Sequence, residues 1–185
     1  PVIVPVSGTF TQVSAGYGHT CALKNDGTVW CFGDNDNGQL GDNSRTDSFT
    51  AVQVSSITTA RQISTGENFS CALLTDNTTK CWGRNYYGQL GDSSNTDRLT
   101  PVNVKISGVN NLSNVRSISS NSYTSCAVLN NNRAYCWGKG DDVQLGYTTS
   151  SQSNRSYAIE TYGSKSFTQV SNGYYSTCGI FTFGG

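Results

Sequence analysis

Six of the seven cysteines in this 185-residue chain form three pairs with one common spacing. The members of each pair are ten residues apart: Cys21 and Cys31, Cys71 and Cys81, Cys126 and Cys136. Thiols placed in this way could form a disulfide or bind a metal ion. A disulfide is the favoured hypothesis, because no Cys-x-x-Cys pair is present and the chain has a single histidine.

The segment between the paired cysteines predicts a β-hairpin. If the two cysteines of the first pair face each other, the turn centres on Asp26. A three-residue loop needs a left-handed backbone at its last position, where the copies have Gly27, Asn77 and Asn132. Facing cysteines on antiparallel strands are within disulfide reach. We therefore predict three hairpin disulfides, which indicate an oxidising compartment and a secreted or cell-surface protein.

The seventh cysteine, Cys178, has no partner at this spacing before the sequence stops at Gly185. It either is a free thiol or forms a disulfide with another chain. Of these two, a buried free thiol is the expectation that we favour.

The cysteine pairs belong to a longer repeat. A Gln-Leu-Gly motif follows each pair, at 39–41, 89–91 and 144–146. Short apolar stretches alternate with Gly, Asn, Asp and Ser clusters, and no stretch keeps a helical period. Four short strands in about fifty residues are typical of a β-propeller blade. We predict one all-β domain over 1–185, made of antiparallel propeller blades at about 10–57, 60–108 and 115–161.

The repeat pattern is incomplete at both ends of the given sequence. Residues 1–8 match the closing strand of a repeat, and residues 167–185 match the first half of one. We expect a mature or excerpted chain. Split blades leave strand edges that another chain could complete. The apolar positions expected to take part are Val2, Val4, Val6, Phe167, Val170 and Ile180.

Composition argues against two classes of partner. The chain has 12 basic and 12 acidic residues, which disfavours nucleic acid. No apolar run approaches the length that spans a bilayer.

Residues capable of catalysis or metal binding give weak signals. His19 stands where the other copies have Phe69, Thr124 and Ser176, so we expect a structural role. The loop from Asp34 to Gly38 resembles half of a calcium loop but lacks its glutamate. We therefore predict no enzyme activity, no metal and no cofactor.

Other polar and aromatic residues suggest surface roles. Asn-x-Ser/Thr triplets make four asparagines candidate glycosylation sites in a competent secretory host: Asn68, Asn77, Asn111 and Asn154. Five tyrosines at predicted loop or strand-entry positions would suit a contact surface, together with the Gly-Gln-Leu-Gly loops: Tyr86, Tyr87, Tyr123, Tyr174 and Tyr175.

The repeat resembles that of the regulator of chromosome condensation family. Members carry a Gly-x-x-His-(Thr/Ser)-x-Ala-Leu strand, an Asp-Gly turn, a Trp-Gly step and an Asn-x-x-Gly-Gln-Leu-Gly loop. The first copy has these at 16–23, 26–27, 32–33 (as Phe-Gly) and 35–41, and the loop is degraded at 141–146. The cysteine-bearing form resembles secreted bacterial members. The resemblance implies a propeller, typically seven-bladed, and functions as varied as nucleotide exchange on a small GTPase and β-lactamase inhibition.

From these observations we expect a non-enzymatic extracellular structural protein. It would self-assemble into a filament, ring or other homo-oligomer by completing split blades between chains. The alternative is a secreted binding module, such as an inhibitor, an adhesin or a lectin-like propeller, with a protein or glycan ligand. Nucleotide exchange is a third hypothesis, which the disulfides and the balanced charge disfavour.

Overall fold

The computed structural model describes residues 7–141, 145–146, 153–161 and 165–182, and every regular element in that part of the chain is a β-strand. Two four-stranded antiparallel sheets come first. Blade 1 consists of β1 (Phe10–Ala15), β2 (His19–Lys24), β3 (Val29–Gly33) and β4 (Ser48–Gln53). Blade 2 consists of β5 (Ala60–Thr65), β6 (Phe69–Leu74), β7 (Thr79–Gly83) and β8 (Arg98–Asn103). The prediction of an all-β fold with four-stranded antiparallel blades is confirmed.

The third sheet is larger than the repeat predicts. Its core is blade 3, which consists of β11 (Val115–Asn121), β12 (Thr124–Leu129), β13 (Ala134–Gly138) and β14 (Arg155–Thr161). Two short strands extend it beyond β14 to six strands: β9 (Lys105–Ile106) and β10 (Asn110–Asn111). The last sheet, which we call the half-blade, pairs only β15 (Ser166–Asn172) with β16 (Thr177–Thr182).

Each cysteine pair lies in the hairpin that the sequence predicts. Cys21 faces Cys31 across β2 and β3, with their Cα atoms 4.1 Å apart, and the two are joined by a disulfide. The same bond joins the pairs of blades 2 and 3. Gly27, Asn77 and Asn132 have φ angles of 81°, 64° and 64°, which is the left-handed backbone that the turn needs.

The apolar core consists of contacts between successive blades. We call the side of a blade that packs against the following blade its leading face, and the opposite side its trailing face. Between blades 1 and 2, the leading face presents Leu23 and the first disulfide, and the trailing face presents Ile63 and Trp82. Equivalent clusters join blade 2 to blade 3 and blade 3 to the half-blade.

Hydrogen bonds also connect the first strands of neighbouring blades. The side-chain amide of Gln12 donates to the Ile63 carbonyl and accepts from the Ile63 N–H, both at 2.9 Å. Gln62 makes the same pair of bonds to Ile118, at 2.9 and 3.0 Å. These bridges fix the relative register of the blades, because one amide satisfies both backbone groups of one residue.

Candidate interaction surfaces

The trailing face of blade 1 exposes an apolar residue that the other blades bury. Val13 lies eight residues before the first cysteine, in the position that Ile63, Ile118 and Val170 occupy in the other copies. Val13 is 69% exposed, whereas Ile63 is 2% exposed. Phe10, on the same strand, is also exposed. In the described structure no blade packs against this face.

The leading face of the half-blade is open in the same way. Ile180 corresponds to Leu23 of blade 1, and the two side chains are 62% and 3% exposed. Cys178, which corresponds to Cys21, is free and exposed. The expectation that Cys178 is buried is therefore wrong. The reason is that no described strand lies beside β16 where β3 lies beside β2, and no described blade covers this face.

Two of the predicted assembly positions lie inside the chain. Phe167 and Val170 are buried in the cluster that contains Cys126 and Val128 of blade 3. They hold the half-blade to its own chain and do not face a second one, which corrects that part of the prediction. Ile180 is exposed. Val2, Val4 and Val6 lie outside the described residues.

The first two Gln-Leu-Gly motifs connect the blades and do not form an exposed surface, and Gln144 of the third motif lies outside the described residues. The Gln39 carbonyl accepts a hydrogen bond from Trp82 Nε1 of blade 2 at 2.9 Å. The Gln89 carbonyl accepts the equivalent bond from Trp137 Nε1 of blade 3. Both glutamines are fully buried. A Cβ at Gly41 would lie 2.7 Å from Trp82 Nε1, so glycine is needed there for close approach. The expectation that these loops offer contacts to a ligand is corrected.

One asparagine braces each of the first two loops. The side-chain amide of Asn35 donates to Asp42 at 3.2 Å and to the carbonyls of Ser44 and Thr46, and its oxygen accepts from the Leu40 N–H at 2.9 Å. Asn85 makes the equivalent bonds in blade 2. The Asn-x-x-Gly-Gln-Leu-Gly sequence therefore forms a loop with its own hydrogen bonds, and this loop accepts a hydrogen bond from the tryptophan of the next blade.

The predicted tyrosines form one continuous cluster, which we call the tyrosine ladder. It comprises Tyr86, Tyr87, Tyr123, Tyr174 and Tyr175, whose successive ring centroids are 4.8, 5.1, 6.4 and 4.4 Å apart. In each antiparallel sheet, the turn between the first and second strands lies at the same edge as the loop that follows the third strand. The ladder lies at that edge and spans blade 2, blade 3 and the half-blade.

Charged side chains line the tyrosine ladder. Lys139 Nζ lies 5.7 Å from the ring centroids of both Tyr87 and Tyr175, which is within cation–π range. The Tyr123 hydroxyl donates to Glu67 Oε1 at 2.6 Å. Burial raises the pKa of Tyr123, and the bond to the Glu67 carboxylate raises it further. The ladder offers aromatic rings, hydroxyls and adjacent cations for recognition.

His19 has a structural position between blades. It is 3% exposed, and its Nε2 lies 2.8 Å from Ser70 Oγ of blade 2. Burial lowers the pKa of His19 to about 4, although the nearby Asp34 carboxylate opposes the shift. A neutral imidazole bonded to one hydroxyl, with no carboxylate partner in hydrogen-bond contact, does not form a catalytic triad.

The acidic loop residues of blade 1 serve the loop itself. One oxygen atom from each of Asp34, Asp36 and Asp47 lies within 4.8 Å of the others. Asp34 accepts from the Asp36 N–H at 3.0 Å, and Asp47 accepts from the Asn35 N–H at 2.7 Å. These bonds show that two of the three carboxylates brace the loop, and the absence of a metal stays a prediction.

The four candidate glycosylation sites differ in accessibility. Asn111 and Asn154 are exposed, whereas Asn68 and Asn77 are half-buried. The side-chain oxygens of Asn77 and Asn154 both accept a hydrogen bond, from Arg61 at 3.0 Å and from the Gly140 N–H at 3.1 Å, so exposure alone separates the sites. Asn111 and Asn154 are therefore the better candidates, and their modification stays a prediction.

A membrane-spanning helix is absent from the residues described here.

Comparison with known proteins identifies the repeat. Two family models, both described as the Regulator of chromosome condensation (RCC1) repeat, match the chain. One matches residues 10–39, 60–89 and 115–144, and the other matches residues 26–73 and 81–128. No curated protein sequence matches the chain.

Solved structures show the same fold. Yeast RCC1 (Prp20), in its structure with Kap60, superposes with a TM-score of 0.81 at 21% identity, over 96% of this chain and 43% of that chain. Human WBSCR16 superposes with a TM-score of 0.80 at 18% identity, over 95% of this chain and 46% of that chain. The ectodomain of the Physcomitrella patens receptor kinase CR4 superposes with a TM-score of 0.58 at 27% identity, over 96% of this chain and 40% of that chain. The chain thus spans less than half the length of each of these proteins.

Proposed function

The chain belongs to the regulator of chromosome condensation (RCC1) repeat family, and we propose that it is a non-enzymatic extracellular structural protein that assembles head to tail with copies of itself. Propellers of this family are a protein-binding kind of module. In our proposal the bound protein is a second copy, and the leading face of the half-blade packs against the trailing face of blade 1 in that copy.

One observation carries this proposal: aligned apolar residues are buried inside the chain and exposed at its two open faces. Ile63 is covered by the leading face of blade 1, and Leu23 is covered by the trailing face of blade 2. Their counterparts Val13 and Ile180 are exposed. A second copy brings together the same two kinds of face that already meet within each chain.

The two open faces match in chemistry as well as in position. Ile180 and the thiol of Cys178 would meet Val13 and Phe10, so this part of the contact is apolar. The predicted closing strand at residues 1–8 would then reach the open edge of β16 by strand addition. A contact between two different surfaces of one protein gives a ring if it closes and a filament if it does not.

The proposed location outside the cell rests on the disulfides. Three of them occur in a chain of modest size, and such bonds persist in oxidising compartments. The exposed free thiol of Cys178 would be covered at the joint and so protected from oxidation there.

Charge at either open face tests the proposal. We expect Val13→Asp and Ile180→Asp to abolish assembly, because each places a carboxylate in an apolar contact. Val109→Asp is the matched control, since Val109 is 77% exposed and lies in neither blade 1 nor the half-blade. Light scattering gives the mass in solution, and electron microscopy distinguishes rings from filaments.

The outcomes separate self-assembly from other uses of the open faces. Large particles for the unmodified chain and for Val109→Asp, with single chains for the two face variants, are the expected result. An unmodified chain that stays monomeric at high concentration would overturn the proposal. It would indicate that further blades of a longer chain cover these faces.

The tyrosine ladder favours a second candidate function, the binding of another protein. Tyrosine is enriched at protein interfaces, since its side chain gives a large contact area at low entropic cost. The yeast relative Prp20 was solved with Kap60 and studied with Gsp1p and histones, which supports protein recognition as a use of this fold.

A monomeric Val13→Asp chain tests this second function without interference from assembly. It would be screened against purified extracellular proteins and against a glycan array. A protein ligand whose binding is lost in Tyr86→Ser and Tyr174→Ser, but kept in Phe49→Ser, is expected. Binding to glycans alone would contradict a protein ligand.

A further inference from the structure

A glutamine recurs at one position of the first strand in each blade, with one exception. The position is held by Gln12, Gln62, Ser117 and Gln169 in the four copies. The first two glutamines bridge to the following blade through both backbone groups of one residue, at 2.9–3.0 Å. Ser117 makes no such bridge in the described part of the chain, where its hydroxyl has no hydrogen bond to the half-blade.

Gln169 has the bridging side chain and, within the described residues, no group to bridge. It is exposed at the open side of the half-blade. No hydrogen bond from its side-chain amide is present in the described part of the chain. The fold does not require glutamine at this position, since blade 3 forms with Ser117 there.

The open face of blade 1 has the backbone that such an amide would meet. Val13 lies opposite Ala22 in β2, and Ile63 lies opposite Ala72 in β6. Because the registers are equal, the N–H and carbonyl of Val13 point away from β2 as those of Ile63 point away from β6. They face the place that a preceding first strand would occupy.

We propose that the side-chain amide of Gln169 forms two hydrogen bonds with the backbone of Val13 in a second copy and so sets the register of the joint. This inference rests on the proposed head-to-tail assembly and names the residue pair that aligns it. The apolar contact of Ile180 with Val13 supplies attraction but no fixed register. The paired bonds select one alignment, since a shift by one residue turns the backbone groups the other way.

Amide hydrogen exchange and association together test the pair. Gln169→Ala is expected to weaken association about tenfold, the effect of losing two ordinary hydrogen bonds. In the assembled unmodified protein the Val13 amide is protected from exchange, and in assembled Gln169→Ala it loses that protection. Gln62→Ala is the matched control, because it removes the same bridge inside the chain and leaves the joint intact. Circular dichroism confirms that each variant is folded.

The possible results distinguish this inference from the assembly itself. If the unmodified chain does not associate, the proposed function fails. If it associates but Gln169→Ala associates equally well and protects Val13 equally well, the function stands and the Gln169 bridge is wrong. If Gln62→Ala weakens association as much as Gln169→Ala, the effect is a general loss of stability, which also overturns the bridge.

Discussion

At the residue scale, the blades are joined by a few side chains whose partners lie in the next copy of the repeat. The Trp82 indole donates to the carbonyl of Gln39, and Gly41 leaves room for the ring. The sequence could not show that the glutamine of the motif is buried, because glutamine is usually exposed and the indole that donates to its backbone carbonyl lies 43 residues away.

Replacing the inter-blade tryptophan should cost more stability than replacing an outer one. Trp82→Phe removes a buried hydrogen bond and part of the ring volume, so the free energy of unfolding should fall by about 2–3 kcal/mol. Trp30→Phe is the control, because Trp30 is half-buried and donates only to the nearby Thr28 hydroxyl. Urea unfolding of both variants gives the comparison. Equal losses would contradict the assigned role of Trp82.

Acid should destabilise the protein through His19. The pKa of His19 is lowered to about 4 in the folded state by burial, against 6.5 for an exposed histidine. Between these values the unfolded chain binds a proton that the folded chain does not, so stability is complete above pH 6.5 and falls as the pH drops towards 4. The loss should reach about 2–3 kcal/mol.

The control for the acid effect is a variant that cannot titrate at this position. His19→Phe takes the residue that blade 2 has at the same place, Phe69. Urea unfolding at pH 7 and pH 4.5 should show a smaller pH dependence for His19→Phe than for the unmodified protein. An unchanged pH dependence would mean that His19 is not buried in its neutral form.

At the scale of elements, the hairpins are the part of the fold that the sequence predicts best. The spacing of the cysteines gives the register, and Gly27, Asn77 and Asn132 mark the turn, so both signals are local. The strands β9 and β10 are not predictable in the same way. Each has two residues, which is too short for any period, and β9 pairs in parallel with β14, about fifty residues further along the chain.

Each hairpin disulfide should stabilise its blade. Removing one, with Cys71→Ala and Cys81→Ala together, releases a closed loop and should lower the free energy of unfolding by about 2–3 kcal/mol. Cys178→Ser is the control, since that thiol is free and exposed, and it should change stability by less than about 0.5 kcal/mol. Thermal unfolding under oxidising conditions measures both. A double variant as stable as the control would contradict the stabilising role.

At the scale of the whole molecule, the arrangement of faces explains what the sequence could not show. The repeat pattern predicts that the end copies are incomplete, but exposure at one position depends on whether another blade is present. Phe167 and Val170 resemble edge residues in the sequence and are buried by blade 3, while Ile180, on the next strand, is exposed. Which face of a blade is buried therefore depends on the packing of the neighbouring blades, which is not a local property of the sequence.

The central claim is that the open leading face of the half-blade is the joint between copies, and Cys178 on that face reports on it directly. The other six cysteines are bonded, so an alkylating reagent labels Cys178 alone. The measurement is the rate of Cys178 alkylation across a range of protein concentrations, with Val13→Asp as the reference that does not assemble. The account predicts that the rate falls as the concentration of the unmodified protein rises and stays constant for Val13→Asp. A rate that is independent of concentration in both proteins would contradict it.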